Sequence, residues 1–325
     1  MKFTLHCSPY DFQEVISRAE YADQHGFEQY WVAENQFIHL DSFVCLALCA
    51  AKTSRIKLAT GATNPVFRHA STIAGAMASI DRVSGGRAVV CLASGDTPVY
   101  MVGLKAASVK TLEESVRLIQ DLTSGTPTMV GRREVKMKIS QRKLPVYLAA
   151  EGPKTLQAAG RVADGVLIGV GFGNDVVEWA LKNVKMGADQ AGRKSSDLEI
   201  IVAGMVNIAE DRKKAREGIR GRLANRAHHN FRFTYETVPP EHLQEAKNWM
   251  KLFEIDDALI EAKQKELLPD FLVDRFAIAG TVQDCVNAVE RLSSMGVNHI
   301  MIDPPFTGYE KVMKTFAEEV VSRFT

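Results

Sequence analysis

Residues Leu58–Asp96 read LATGATNPVFRHASTIAGAMASIDRVSGGRAVVCLASGD. The run divides into a short apolar strand, a Gly/Asn/Pro turn, a helical stretch, a second apolar strand and a Gly-Asp loop. Both turns stand where the carboxyl end of a strand hands over to a helix, the place where parallel α/β proteins assemble their sites. Thr60-Gly61-Ala62-Thr63-Asn64-Pro65 is the unusual one. A flexible Gly, small side chains and a Pro shape a backbone able to lie close against something flat.

The same alternation extends outward in both directions. Candidate strands are Phe3–Cys7, Gln29–Ala33, Ile56–Gly61, Ala88–Ala93, Val146–Ala149, Gly165–Ile168, Glu199–Met205 and His299–Ile302. Most lack polar alternation, as expected when helices cover one face and a packed barrel interior the other. Helical segments lie at Phe12–His25, Phe43–Lys52, Thr72–Val83, Val109–Ser124, Pro153–Ala163, Asp175–Ala191, Lys213–Ala224, Val282–Met295 and Glu310–Phe324. Eight strands in βα order predict an α/β fold, a (β/α)8 TIM barrel, over residues 1–325 as a single domain. Two rim insertions depart from the repeat. Thr126–Arg142 alternates like a small hairpin, and Asn225–Asp274 reads as a lid-like segment rich in charge and aromatics.

Bulk composition bounds the function. The chain has 325 residues, 46% apolar and 24% charged, which suits one globular domain with a large core. A net charge of +1 without a dominant basic run argues against a nucleic-acid or membrane-surface partner. The amino terminus lacks a signal-peptide pattern, no apolar run approaches a membrane span of roughly 18 residues, and a cytoplasmic protein is expected. The five cysteines are scattered, with Cys45 and Cys49 reading as core, so no metal site is expected.

In this topology the strand ends bring together His6, Cys7 and Ser8; Glu34 and Asn35; Gly61, Ala62, Thr63 and Asn64; and Ser94, Gly95, Asp96 and Thr97. The fifth strand adds Glu151-Gly152-Pro153-Lys154 and the sixth Gly169, Gly171 and Gly173 within GVGFGN. EGPKTL opens a helix with Gly and then Pro, leaving backbone N–H groups at its positive end, and the alternate glycines allow close approach to a phosphate. Closing turns and capping helices accounts for the same glycines. GVGFGN is not a dinucleotide fingerprint, since its glycines alternate and lie mid-chain.

Three separated motifs, TGATNPVFRHAS…SIDRVSGGRAVVCLASGD, LPVYLAAEGPKTLQAAGRVADGVLIGVG and FAIAGTVQDCVNAVERLSSMGVNHIMIDPP, stand in order along nearly the whole chain outside Asn225–Asp274. Together they resemble the luciferase-like superfamily of flavin and deazaflavin oxidoreductases, most of all its methylenetetrahydromethanopterin reductase branch. The resemblance implies a (β/α)8 barrel that binds coenzyme F420 or FMN, commonly as a homodimer or higher homo-oligomer. Its ring platform is a bulge after strand three that commonly holds a non-prolyl cis peptide, which here falls at Gly61–Ala62 with Thr63 and Asn64 near the ring. Gly95, Asp96 and Thr97 would border the ribityl side, and the cofactor phosphate would sit at Glu151–Lys154 and Gly169–Gly173.

Two departures bear on the substrate. Reductases of that branch carry a Glu after strand one, implicated in proton donation, where this chain has His6. After strand two the family usually reads acidic-His, and here the pair is Glu34-Asn35. His6 replaces the acid as candidate proton donor, imidazole being suited to that task; Glu34 is the other candidate, with Asn35 beside it. A hydrogen-bonded barrel histidine and a structural Glu34 are the bland alternatives. Arg68 and His69 read as a partner for an acidic group or a helix-start salt bridge. The basic run Arg212, Lys213, Lys214, Arg216, Arg220, Arg222, Arg226 and Arg232, with His228-His229, reads as a solvated helix face or as a receiver of an anionic tail. Phe231, Phe233, Tyr235 and Trp249 read as an apolar lid. The expected function is F420-dependent hydride transfer to or from a small organic, pterin-like or modified-peptide substrate. The alternatives are an FMN-dependent monooxygenase and a non-catalytic flavin-binding protein.

Overall fold

Side chains alternate across each short strand, and this alternation decides what faces the barrel interior. In β1 (Lys2–Cys7), Phe3, Leu5 and Cys7 pack against the helices, so Thr4 and His6 point inward. In β2 (Gln29–Val32), Tyr30 and Val32 pack outward and Trp31 inward. The computed structural model describes residues 1–140, 142–251 and 267–324. Its sheet continues through β3 (Lys57–Thr60), β4 (Ala88–Leu92), β7 (Val146–Ala150), β8 (Gly165–Ile168), β9 (Glu199–Ile208) and β11 (His299–Asp303), every pair parallel. Pairing of β11 with β1 closes the barrel. Trp31, Ala59, Val89, Cys91, Tyr147, Leu167, Ile201, Ala203 and Met301 fill its interior.

Among the described residues the α-helices are α1 (Phe12–Gln24), α2 (Ser42–Lys52), α3 (Ala70–Ser84), the short α4 (Thr97–Tyr100), α5 (Val109–Ser124), α6 (Pro153–Val162), α7 (Asn174–Gln190), α8 (Arg212–Thr234), α9 (Leu243–Met250), α10 (Asp270–Phe276), α11 (Val282–Ser294) and α12 (Tyr309–Glu319). Side chains of Asp11, Asp41, Ser108, Asp211 and Thr281 accept from first-turn amides and start five of them. The amino ends of α6 and α7 begin on Gly152 and Gly173 without a side-chain cap.

Two details depart from the sequence expectation. Helix α8 does not stop at Ala224 but runs to Thr234, because no Gly or Pro interrupts the chain between Arg222 and Val238. Strand β9 continues to Ile208 and pairs there with an added short strand, β10 (Ala277–Gly280), whose four residues AIAG carry little strand signal. The strands β5 (Thr128–Val130) and β6 (Arg133–Val135) form an antiparallel hairpin around Gly131, which has φ +62°. The hairpin lies in a helix-to-strand connection, at the opposite end of the barrel from the strand carboxyl ends. Within the expected lid segment, residues 252–266 lie outside the described residues. Among the described residues, no helix is long and apolar enough to cross a membrane.

The amino-end floor of the barrel is a polar plug. Fully buried His299 receives the Thr4 hydroxyl at Nε2 (2.7 Å) and donates from Nδ1 to Glu199 Oε1 (2.9 Å). Tyr147 donates to Glu199 Oε2 (2.8 Å) and Lys2 to Oε1 (3.1 Å). The His299 bond, with those from Tyr147 and Lys2, holds the Glu199 carboxyl well below the usual range against its burial. Burial lowers the His299 pKa, so the ring is neutral, which matches one donating and one accepting nitrogen. Both groups bind fewer protons folded than unfolded, so both contribute stability that is lost on acidification. His299 acts as pH falls below about 6.5 and Glu199 below about 4.3. Glu199→Gln is expected to cost about 2 kcal/mol at pH 7. In thermal melts across pH the gap to wild type should narrow below pH ~4.3; a constant gap would refute the assignment.

Candidate active site

Strand alternation and strand-end loops build the carboxyl-end mouth. The Gly61–Ala62 peptide is cis, as the family resemblance implies. The turn is pinned by Gly61 N donating to Val32 O (2.7 Å), Thr63 N to Cys91 O (3.1 Å) and Ala93 N to Thr63 O (2.8 Å). Asn64, itself buried, accepts from the amides of Val66 and Phe67 (both 3.1 Å) and so shapes the chain that follows. Gly95 has φ +98°, and a Cβ there would fall 2.6 Å from Val99 Cγ2. Only glycine fits this loop, which leads into Asp96 and Thr97 at the start of α4.

His6 is the inward residue at the end of β1. Its Nδ1 lies 3.1 Å from Asp303 Oδ1 and its Nε2 3.3 Å from the Gly61 carbonyl oxygen. Asp303 in turn accepts from Arg222 Nη2 (2.6 Å), and Arg222 Nη1 donates to the Pro304 carbonyl (2.9 Å). Burial alone would raise the Asp303 carboxyl, but the charges and hydrogen bonds of His6 and Arg222 hold it below the usual range. The Tyr309 hydroxyl fixes the His6 backbone by donating to its carbonyl (2.6 Å).

In the loop after the neighbouring strand β2, Glu34 accepts at Oε1 from Arg68 Nε (2.7 Å), and Arg68 also reaches Asp41. Arg68 thus meets acidic groups, and His69 starts α3 by accepting from the Ser71 amide. Asn35 is buried and its side-chain oxygen accepts from Phe37 N (3.1 Å), closing a local turn. Glu34 Oε2 and Thr63 Oγ1 are buried with no hydrogen-bond partner among the described residues. Unpaired oxygens at the ends of adjacent strands are costly unless a ligand pairs them. That is the fit expected of a polar-edged flat group.

The other end of the mouth gathers Glu151, Gly152 and Gly169 under α8. Arg226 donates to both Glu151 Oε1 and the Gly169 carbonyl, and Asn230 Nδ2 reaches Glu151 Oε2 (3.1 Å) and Gly169 O (3.4 Å). His229 stands 3.6 Å from both Asp96 and Glu151. Burial lowers its pKa, which the pull of those carboxylates does not offset. Phe233 covers Gly152 so closely that a Cβ there would meet its ring at 3.1 Å. Pro153 and the exposed Lys154 open α6. Gly171 and Gly173 are turned elsewhere: they pack against Arg275–Phe276, and the Phe172 and Gly173 amides donate to the Arg275 carbonyl (2.8 and 2.9 Å).

The basic run therefore has two faces. Arg212, Arg216 and Arg220, four residues apart, pair with Asp284, Asp270 and Asp274 away from the mouth. Arg222, Arg226, His229, Asn230 and Phe233 share the face over the mouth, a spacing already present in the sequence. Phe231 packs edge-on against Tyr235, Trp249 and Phe276 in a satellite core rather than over the site. Asp303, like Asn230, is a site residue the sequence reading left out. The alternation of HIMID, with Ile300 and Ile302 packed outward, was its signal.

Comparison with known proteins agrees with this architecture. Residues 3–299 match the family model for luciferase-like monooxygenases. A 5,10-methylenetetrahydromethanopterin reductase of Methanolobus tindarius is 28% identical over 99% of this chain and 100% of its own. An F420-dependent glucose-6-phosphate dehydrogenase of Amycolatopsis mediterranei is 26% identical over 96% of this chain and 94% of its own. The solved coenzyme F420 dependent tetrahydromethanopterin reductase from Methanopyrus kandleri superposes with a TM-score of 0.83 at 24% identity, covering 100% of this chain and 99% of that one. The chain belongs to the luciferase-like monooxygenase family and is an oxidoreductase.

Proposed function

We propose that the chain is a coenzyme F420-dependent oxidoreductase that transfers a hydride to or from a small organic, pterin-like or modified-peptide substrate. The observation that carries this is the two-ended mouth. Two buried, unpaired oxygens, Glu34 Oε2 and Thr63 Oγ1, lie at one end, and the uncapped start of α6 beneath the cationic face of α8 lies at the other. A ligand with a polar-edged ring and an anionic tail satisfies both.

Gly61, Ala62, Thr63 and Asn64 would support the ring. Gly95, Asp96 and Thr97 would flank the chain that follows it. Glu151, Gly152, Pro153, Lys154 and Gly169 would receive the phosphate, with Gly171 and Gly173 holding the sixth-strand loop in place. When bound, F420 supplies the hydride-carrying carbon; the protein supplies placement, a proton donor and exclusion of water. His6 and Glu34 are the candidate donors, and Asn35 shapes the loop that presents Glu34. The relative from Amycolatopsis mediterranei and the Methanopyrus kandleri enzyme, both F420-dependent, favour deazaflavin over FMN, which the same residues would also receive.

Titration of the purified protein with F420 and with FMN, followed by fluorescence quenching, tests the reading. F420 is expected to bind at least tenfold more tightly, about 1.4 kcal/mol. Preference for FMN would turn the reading to the monooxygenase, and binding of neither would overturn both.

A further inference from the structure

His6 has two ring nitrogens and two acceptors, a carboxylate oxygen at Nδ1 and a peptide carbonyl at Nε2. Which nitrogen carries the proton is set by what the other faces. The Asp303 carboxylate can only accept, and Arg222, a donor at every nitrogen, engages its second oxygen at 2.6 Å. Arg222 is itself fixed, since its other terminal nitrogen donates to the Pro304 carbonyl and its guanidinium stacks on the Phe306 ring at 4.2 Å. The chain Arg222–Asp303–His6 therefore runs from α8 through the end of β11 to the end of β1, and terminates beside the Gly61 carbonyl.

We propose that Asp303, locked by Arg222, is a positioning residue that holds a proton on His6 Nδ1, so that the proton His6 donates at the mouth leaves from Nε2, the nitrogen beside the Gly61 carbonyl. The inference rests on the proposed function only in taking His6 as a proton donor; the orientation itself is a property of the protein alone. It also gives α8 a double task. Through Arg222 the helix orients the candidate donor, and through Arg226 and Asn230 it closes over Glu151 and Gly169 at the anion end.

Asp303→Asn is nearly isosteric and makes a sharp test. Arg222 presents only donors, so it will claim the new amide oxygen, and the amide NH2 must then face His6. An amide donor at Nδ1 requires a lone pair there, so the proton moves to Nε2, where the Gly61 carbonyl accepts it. Nitrogen-15 NMR of histidine-labelled protein, with the His6 signals assigned from His6→Gln, reads this directly. Wild type is expected to show Nδ1 protonated, and Asp303→Asn to show Nδ1 as the unprotonated, pyridine-type nitrogen. Arg222→Met leaves the carboxylate in place and should keep Nδ1 protonated. An unchanged Nδ1 signal in Asp303→Asn would overturn the proposal, as would a wild-type Nδ1 without a proton. If wild type binds neither F420 nor FMN, the cofactor reading fails while the NMR result still decides the positioning role.

Discussion

Gly61→Val is expected to lower affinity for the ring-bearing cofactor by at least about 100-fold, roughly 2.7 kcal/mol, while leaving a folded barrel. A Cβ at position 61 would lie 3.2 Å from Trp31 Cβ, 3.4 Å from His6 Cδ2 and 3.4 Å from the Val32 carbonyl carbon. None of these can withdraw. Trp31 is fully buried among the interior residues, its indole N–H donates to Gln29, and Val32 is strand backbone. The two γ-methyls of valine enlarge the conflict, so the turn has to move outward, into the space a ring lying on it needs. Misplaced packing of this kind costs roughly 1–3 kcal/mol of stability, which a large barrel tolerates. Fluorescence titration with F420, alongside a thermal melt, separates the two effects. Affinity within threefold of wild type would remove Gly61–Ala62 from the ring's surroundings.

The barrel was legible because its signal is repetitive. Apolar strand and amphipathic helix recur, and an error at one boundary does not alter the topology. What escaped was local. β10 has four small or apolar residues and takes its strand geometry from pairing with the end of β9, a tertiary effect invisible in AIAG itself. The strand-end residues followed from topology, since βα order sends His6, Glu34, Gly61 and Glu151 to one end whatever their contacts. Their partners did not. Asp303 meets His6 from 297 positions away, and Arg226 meets Glu151 across 75. Such pairs depend on barrel closure and on the unbroken course of α8. The helical spacing of Arg222, Arg226 and Asn230 was present in the sequence, but the direction of that face was not. It is set by where β9 ends and by the carboxylates that draw Arg212, Arg216 and Arg220 to the other side.

Gly187→Ala tests the packing that holds the anion end in place, and here two physical effects predict opposite signs. Glycine inside a helix is disfavoured against alanine by about 1 kcal/mol, so local propensity predicts a more stable protein. Tertiary geometry predicts the reverse. A Cβ at Gly187 on α7 would fall 1.9 Å from the Gln157 carbonyl oxygen of α6, and one at Gly160 on α6 would fall 2.2 Å from the Val184 carbonyl oxygen of α7. The obstacles are backbone atoms, so no side-chain rotation relieves them and the helices must separate. Separation strips contacts from Leu156, Ala159, Val184 and Ala188, all fully buried in the shell around the barrel. The net cost is expected to be about 3 kcal/mol, a fall in melting temperature of roughly 4 °C. Gly75 in α3 supplies the control, since a Cβ there meets nothing within 4 Å. Gly75→Ala should therefore follow propensity and gain up to about 1 kcal/mol. A Gly187→Ala protein as stable as wild type would mean that α6 and α7 are not in backbone contact. Because α6 begins at Gly152-Pro153-Lys154, its displacement should also weaken binding of a phosphate-bearing cofactor more than binding of the same ring system without phosphate. Equal losses for the two would place the phosphate elsewhere.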